Sequence, residues 1–230
     1  MFQAIGFDAD DTLWHNERLF SLIQGRFREI LNAHHPEVVD QTLYATERRN
    51  LQYFGYGVKG FVLSMLETAV ELTQGEVTGA EIQQIMDFGK EMLDAPLELL
   101  PHAGEVIRRL SPSHRLILIT KGDLFDQETK IARSGLADHF QAIEIVSEKD
   151  ASTYRSLLQR HQVDPENFVM VGNSLRSDIL PVLEIGGSAI YVPHELTWAH
   201  EHDQAPTSKR YSELEHLGQL PDWLQAHSAA

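Results

Sequence analysis

Apolar residues recur along this chain with two different rhythms, and the switch between them divides it. The run Ala4-Ile5-Gly6-Phe7 reads as a short strand that passes straight into the acidic cluster Asp8-Ala9-Asp10-Asp11-Thr12. From about residue 17 to 94 the spacing becomes helical. Phe20, Ile23, Phe27, Ile30 and Leu31 share one helical face, and Val58, Phe61, Val62, Met65, Leu66, Ala69 and Val70 follow the same period most closely. Thr78 with Glu81 has the form of a capping box, opening a helix whose inner face is Ile82, Ile85, Met86, Gly89 and Leu93. A fainter helix is predicted over 38–52. No strand-like run interrupts this stretch, so residues 16–95 are predicted to form a small helical bundle.

After Pro96 helices and strands alternate. Ala103, Val106, Ile107 and Leu110 mark a helix, and Arg115 to Thr120 a strand rich in β-branched residues. A helix stopping near Gly135 follows, then the strand Ala142 to Val146 and a helix carrying Tyr154, Leu157 and Leu158. Phe168 to Val171 is another strand, leading through Gly172-Asn173 to a helix predicted near 178–185. Ser188 to Val192 is a last core strand, and 214–224 a closing helix. Continuous apolar strands separated by helices predict an α/β fold whose parallel sheet is covered on both faces.

Composition narrows the function classes. With 42% hydrophobic and 23% charged residues the chain has the material for a buried core, which excludes wholesale disorder. The longest pure apolar runs, such as Leu116 to Ile119, are far below the roughly 20 residues a bilayer span needs. Met1-Phe2-Gln3-Ala4-Ile5 has neither the basic stretch nor the apolar region of a secretory signal. No cysteine is present, so disulfides, thiolate metal sites and cysteine nucleophiles are excluded. A cytoplasmic protein is the expectation. The net charge of −15 repels nucleic-acid backbones and anionic lipids, so neither nucleic acid nor membrane is expected as a partner.

Ligands of open α/β sheets bind beyond the carboxyl ends of the strands. Four polar groups fall there: Asp8 with Asp10, Thr120, Lys149, and Asn173 with Asp178. Any one of them is more often an ordinary turn or cap residue, so the information lies in their convergence. Of the other lysines nearby, Lys121 directly follows Thr120 and would shape the loop or touch substrate, while Lys130 reads as a solvated helix residue. The groupings His34-His35 and His200-Glu201-His202 lack i, i+4 spacing and read as solvated surface rather than metal ligands. His15, just past the acidic cluster, is a candidate pocket neighbour. The glycine-bracketed segment from Tyr53 to Lys59 is a candidate specificity loop.

As a set these features resemble the haloacid dehalogenase-like hydrolase superfamily. Its first signature, an apolar strand before Asp-x-Asp-x-Thr, is matched by Ile5 to Leu13. A strand ending in Thr is matched at Thr120, a lysine before a helix at Lys149, and the Gly-Asp-x4-Asp signature at Gly172-Asn173-Ser174-Leu175-Arg176-Ser177-Asp178. Order and spacing agree over essentially the whole chain.

The resemblance implies a Rossmann-like core from residues 1–15 and 96–230, with 16–95 as a helical cap that opens and closes. It implies a magnesium-dependent phosphatase acting on a small phosphorylated metabolite. Asp8 would be nucleophile and metal ligand. Asp10 would ligate through its carbonyl and transfer protons through its carboxyl. Thr12, Thr120, Lys121 and Lys149 would contact the substrate, with Thr120 and Lys149 also serving catalysis. Asn173 and Asp178 would complete the metal site. Asn173 stands where the family more often has aspartate, which leaves less negative charge on the cation. Carbon–halogen hydrolysis, a phosphomutase and a non-catalytic phosphate-binding protein are the alternatives on this fold. Asp10 argues against the first, because dehalogenases lack an acid two residues after the nucleophile.

Overall fold

The computed structural model describes residues 2–201 and 203–228. Its backbone clusters into two compact units, one made of Arg18–Pro96 with Gly122–Gln127, the other of Met1–Glu17, Leu97–Lys121 and Glu128–Ala230.

The first unit is built on helices α1 (Glu17–Ile30), α2 (Pro36–Phe54), α3 (Val58–Leu72) and α4 (Gly79–Asp94). Ile23 and Phe27 of α1, Val39 and Leu43 of α2, Phe61 and Met65 of α3, and Ile85, Phe88 and Met92 of α4 form one apolar core. The capping box at the start of α4 is present. Glu81 N–H donates to Thr78 Oγ1 at 3.3 Å, and Thr78 N–H donates back to Glu81 Oε2 at 2.7 Å. The faint helix expected over 38–52 is the longest in the unit. It begins at Pro36, where a missing N–H costs nothing, and stops at Gly55 with φ 66°. Its pattern is faint because Thr46 and Asn50 are buried alongside Val39 and Leu43, so polar residues occupy part of the inward face.

In the second unit the described strands are β1 (Ala4–Phe7), β2 (Leu116–Lys121), β3 (Ala142–Val146), β4 (Phe168–Gly172), β5 (Ser188–Tyr191) and β6 (Tyr211–Glu213). They form one parallel sheet in the order β3-β2-β1-β4-β5-β6. This is an α/β, Rossmann-like fold. Side chains alternate between the faces. Ile5, Phe7, Leu116, Leu118, Val169 and Val171 pack on one side with Val106 and Ile107 of α5 (Ala103–Leu110). Ala4, Ile117, Ile119, Phe168 and Met170 pack on the other. Gly6 is required between them, since a Cβ there would lie 2.5 Å from the Phe168 ring.

Helix α6 (Leu124–Ser134) follows β2, and α7 (Ala151–His161) follows β3, with Leu157 and Leu158 in the second core. Two expectations need correcting at the level of elements. The helix expected near 178–185 is a π-helical turn, Leu175–Ile179, running into the short α8 (Leu180–Glu184). The closing helix begins later, as α9 (Leu220–Ser228), after the strand β6 and a 3-10 turn at Leu217–Gln219. That strand is three residues long and half-exposed, too short and polar to show as a period-two run.

Candidate active site

Because the sheet is parallel, every strand delivers its carboxyl end to the same edge. Asp8 follows β1, Lys121 ends β2, Lys149 lies three residues past β3, and Asn173 follows β4. Strands β2 and β4 are the two neighbours of β1, so the Asp8 loop is flanked on both sides.

Asp8 is buried and its two carboxylate oxygens face different partners. Oδ1 accepts from Lys149 Nζ at 2.5 Å, and Oδ2 accepts from Thr12 Oγ1 at 2.9 Å. Lys149 is only 3% exposed and donates at 2.7 Å to Asp178 Oδ1 as well. An ammonium so buried survives only when paired. Burial draws its pKa down, but the charges of Asp178 and Asp8 outweigh this and hold it well above the usual lysine value. For Asp178, burial is the largest influence and pushes its carboxyl up to about 7, with Asp8 adding to it and Lys149 opposing. The second Asp178 oxygen accepts from Ser174 N–H at 3.0 Å. Gly172 leaves the room for this, since a Cβ there would stand 2.2 Å from Asp178 Oδ2.

The Asn173 amide sits among the oxygens of this cluster. Its Oδ1 lies 3.2 Å from Thr12 Oγ1, which donates to it, but also 3.2 Å from Asp8 Oδ2 and 3.3 Å from the Asp10 carbonyl oxygen. Two arrangements relieve three acceptors so placed. The amide can turn so that its two N–H bonds are shared among Thr12 Oγ1, Asp8 Oδ2 and the Asp10 carbonyl oxygen, or a cation can stand among the oxygens. Magnesium takes hard oxygen ligands at about 2.0–2.1 Å in octahedral geometry, which separates adjacent ligand oxygens by about 3 Å. Carboxylates of Asp8 and Asp178, the Asn173 amide and the Asp10 carbonyl fit that donor set. Among the described residues no group of three or more His, Cys, Asp or Glu side chains has metal-holding geometry. A cation here would depend on the amide and carbonyl oxygens as well as the carboxylates.

The Asp10 carboxylate faces elsewhere. It accepts from Trp14 Nε1 at 2.7 Å and from Lys130 Nζ at 2.8 and 3.0 Å. Lys130 also donates to Asn16 Oδ1 at 3.2 Å, so the expectation of a solvated lysine is corrected: Lys130 belongs to the Asp10 loop. Asp11, at φ 60°, turns its carboxylate onto the N–H groups of Asn16 and Glu17, tying the loop to the start of α1. Thr120 is buried at the end of β2, with its hydroxyl 3.5 Å from the Lys121 carbonyl. Lys121 points to Ser177 Oγ at 2.9 Å and Glu201 Oε1 at 2.5 Å.

Asp8, Thr12, Lys149, Asn173 and Asp178 thus form one connected cluster, while the Asp10 carboxyl and Lys121 are engaged with other partners. His15 is half-buried, its Nδ1 without a hydrogen-bond partner and its ring 5.8 Å from that of His194. His200 and Glu201, expected at the solvated surface, are buried; His202 lies outside the described residues. No sequence pattern marked Lys130 or Glu201, because each finds its partner across the fold.

The comparisons with known proteins bear on the family and the fold. A family model described as haloacid dehalogenase-like hydrolase matches residues 2–186. A glyceraldehyde 3-phosphate phosphatase from Methanothermobacter thermautotrophicus is 25% identical over 97% of this chain and 100% of its own length. Among solved structures, a haloacid dehalogenase-like family hydrolase from Xanthomonas campestris is 42% identical, with TM-score 0.90 over 99% of this chain and 92% of that one. The HAD-hydrolase YfnB of Bacillus subtilis, solved bound to magnesium, shares the fold at TM-score 0.70 and 17% identity, covering 97% and 99% of the two chains. A family match over residues 2–186 spans well over half of the sequence, and the chain belongs to the haloacid dehalogenase-like hydrolases.

Proposed function

We propose that this chain is a cytoplasmic, magnesium-dependent phosphomonoester hydrolase that acts on a small phosphorylated metabolite through a phosphorylated Asp8. The observation that carries the reading is the divided Asp8 carboxylate. One oxygen is held by the buried Lys149 ammonium, and the other accepts from Thr12 and lies 3.2 Å from the Asn173 amide. A carboxylate attacking an anionic ester needs its charge offset, and this arrangement offsets it from both sides. Magnesium, when bound by Asp8, Asp178, Asn173 and the Asp10 carbonyl, would supply charge neutralisation and orientation for the phosphoryl group.

The chain's own residues account for the rest. Asp8 Oδ1 attacks phosphorus and the ester P–O bond breaks. Asp10, which must be protonated for this step, gives its proton to the departing alkoxide. For that role Asp10 must exchange Lys130 and Trp14 for the ester oxygen. Asp10 then takes a proton from water as the water attacks phosphorus, and Asp8 is released with inorganic phosphate. Lys149 stays protonated and opposes the charge on Asp8 throughout. The Thr120 hydroxyl would donate to a phosphoryl oxygen. In this reading the helical unit serves as a cap that screens water from the first step.

The named activity of the Methanothermobacter relative makes glyceraldehyde 3-phosphate the first substrate to try, beside para-nitrophenyl phosphate. Phosphate release is expected in magnesium and is lost in excess chelator. Asp8→Asn should lower turnover by about a thousandfold or more while far-UV circular dichroism stays unchanged. Wild-type turnover in Asp8→Asn would remove the mechanism.

A further inference from the structure

A second buried polar cluster lies in the sheet unit beside the candidate site. The short turn Ala199–Glu201 carries the Glu201 carboxylate inward, where it is 9% exposed. Oε1 accepts from Lys121 Nζ at 2.5 Å, and Oε2 accepts from Ser177 Oγ at 2.6 Å and from Ser174 Oγ. Lys121 also donates to Ser177 Oγ at 2.9 Å, and Ser174 Oγ accepts from Ser177 N–H at 2.9 Å. Arg176 Nη1 donates to the His200 carbonyl at 3.3 Å, a second link between the two segments. Burial alone would raise the Glu201 pKa, yet Lys121 and the two serines hold it at about 2, so the cluster contains an ionised pair. A buried carboxylate with three donors is an expensive arrangement for simple stability, because an apolar replacement often does as well.

What the cluster grips explains its placement. Ser174 and Ser177 lie between Asn173 and Asp178 in sequence, Ser174 capping and Ser177 within the π-helical turn that carries Asp178. A π-turn is wider than an α-turn and rare, and such turns recur at functional sites. Here Ile179 N–H reaches back to Ser174 O at 3.3 Å, and Ser174 N–H supports Asp178 Oδ2 at 3.0 Å. Lys121, at the other end of the cluster, directly follows Thr120.

We infer that Glu201 is a positioning residue whose carboxylate clamps the Asn173–Asp178 turn to the end of β2, holding the oxygen set in place for the cation. Glu201 itself touches none of those oxygens. The inference rests on the reading of that set as a magnesium site.

Calorimetric titration of magnesium chloride into the full-length protein, without substrate, tests it. The wild-type titration comes first: if it shows no magnesium binding, the metal reading falls and this inference with it. Given wild-type binding, Glu201→Gln should weaken magnesium affinity about tenfold or more. Its magnesium concentration for half-maximal phosphate release should rise by the same factor, and kcat at saturating magnesium should return close to wild type. Unchanged magnesium affinity in a folded Glu201→Gln protein overturns the inference, whatever its melting temperature. Ser177→Ala removes one donor to the same carboxylate with a smaller insult, and decides the matter where Glu201→Gln does not fold. It should also weaken magnesium binding, and wild-type affinity in it overturns the inference.

Discussion

Lys149 is the side chain on which the local charge balance turns, because it is the direct partner of both Asp8 and Asp178. Removing one partner of a buried ion pair leaves uncompensated charge and costs about 3–5 kcal/mol. Lys149→Met should therefore lose about that much stability by urea denaturation in magnesium-free buffer, recover part of it when magnesium is added, and show no phosphatase activity. Equal stability of mutant and wild type without magnesium would mean that the two carboxylates do not need the ammonium. Residues of this kind are legible in sequence where a strand-end motif marks them, as with Asp8, Thr12, Lys149, Asn173 and Asp178. Lys130 and Glu201 are not legible, since a lysine in a helix and a glutamate in a loop carry no mark of the partner they meet. Asn173 shows the limit from the other side. Its identity is plain in the sequence, but the placing of its amide 3.2 Å from Asp8 Oδ2 and 3.3 Å from the Asp10 carbonyl oxygen is a matter of geometry alone.

Elements with a clean apolar period were the most readable. Helix α3 and the strands β1, β2, β3 and β4 fall where that period places them, and α4 starts at its capping box. Helix α2 shows why mixed faces blur the signal, because its inward side carries Thr46 and Asn50 among the aliphatics. Glu47, one position from Thr46, shares this awkward environment. Burial raises its carboxyl from 4.5 to about 7. A raised folded-state pKa means that the carboxylate costs nothing below pH 4.5 and opposes folding fully once pH has passed about 7. Glu47→Gln should thus melt at the same temperature as wild type near pH 4.5 and above it at pH 8, with the gap opening between those values. Identical melting curves at pH 8 would show that Glu47 is well solvated. The π-turn before α8 is the element least open to prediction, since its widening serves hydrogen bonds made to other segments.

At the scale of the whole molecule, the fold class follows from alternation of helix with continuous apolar strand, whereas the grouping of Gly122–Gln127 with the helical unit has no local signal. The net charge of −15 acts at this scale too. It repels an anionic substrate over a screening length of about 30 Å at 10 mM salt but only about 8 Å at 150 mM. KM for a phosphate monoester should fall as potassium chloride rises across that range at fixed free magnesium, with kcat little changed. A KM that climbs instead would show that local positive charge governs capture. The position of β1 between β2 and β4 has a consequence for synthesis. The strand before Asp8 is made well ahead of its partners, since Ile5 pairs with Leu116 and Val169. At about 5–20 residues per second its first neighbour arrives roughly 5–20 seconds later. The helical unit has most of its own sequence in hand before then, while the strand before Asp8 waits unpaired. A four-residue strand offers little edge for a wrong partner during that interval, and brevity here protects the growing protein.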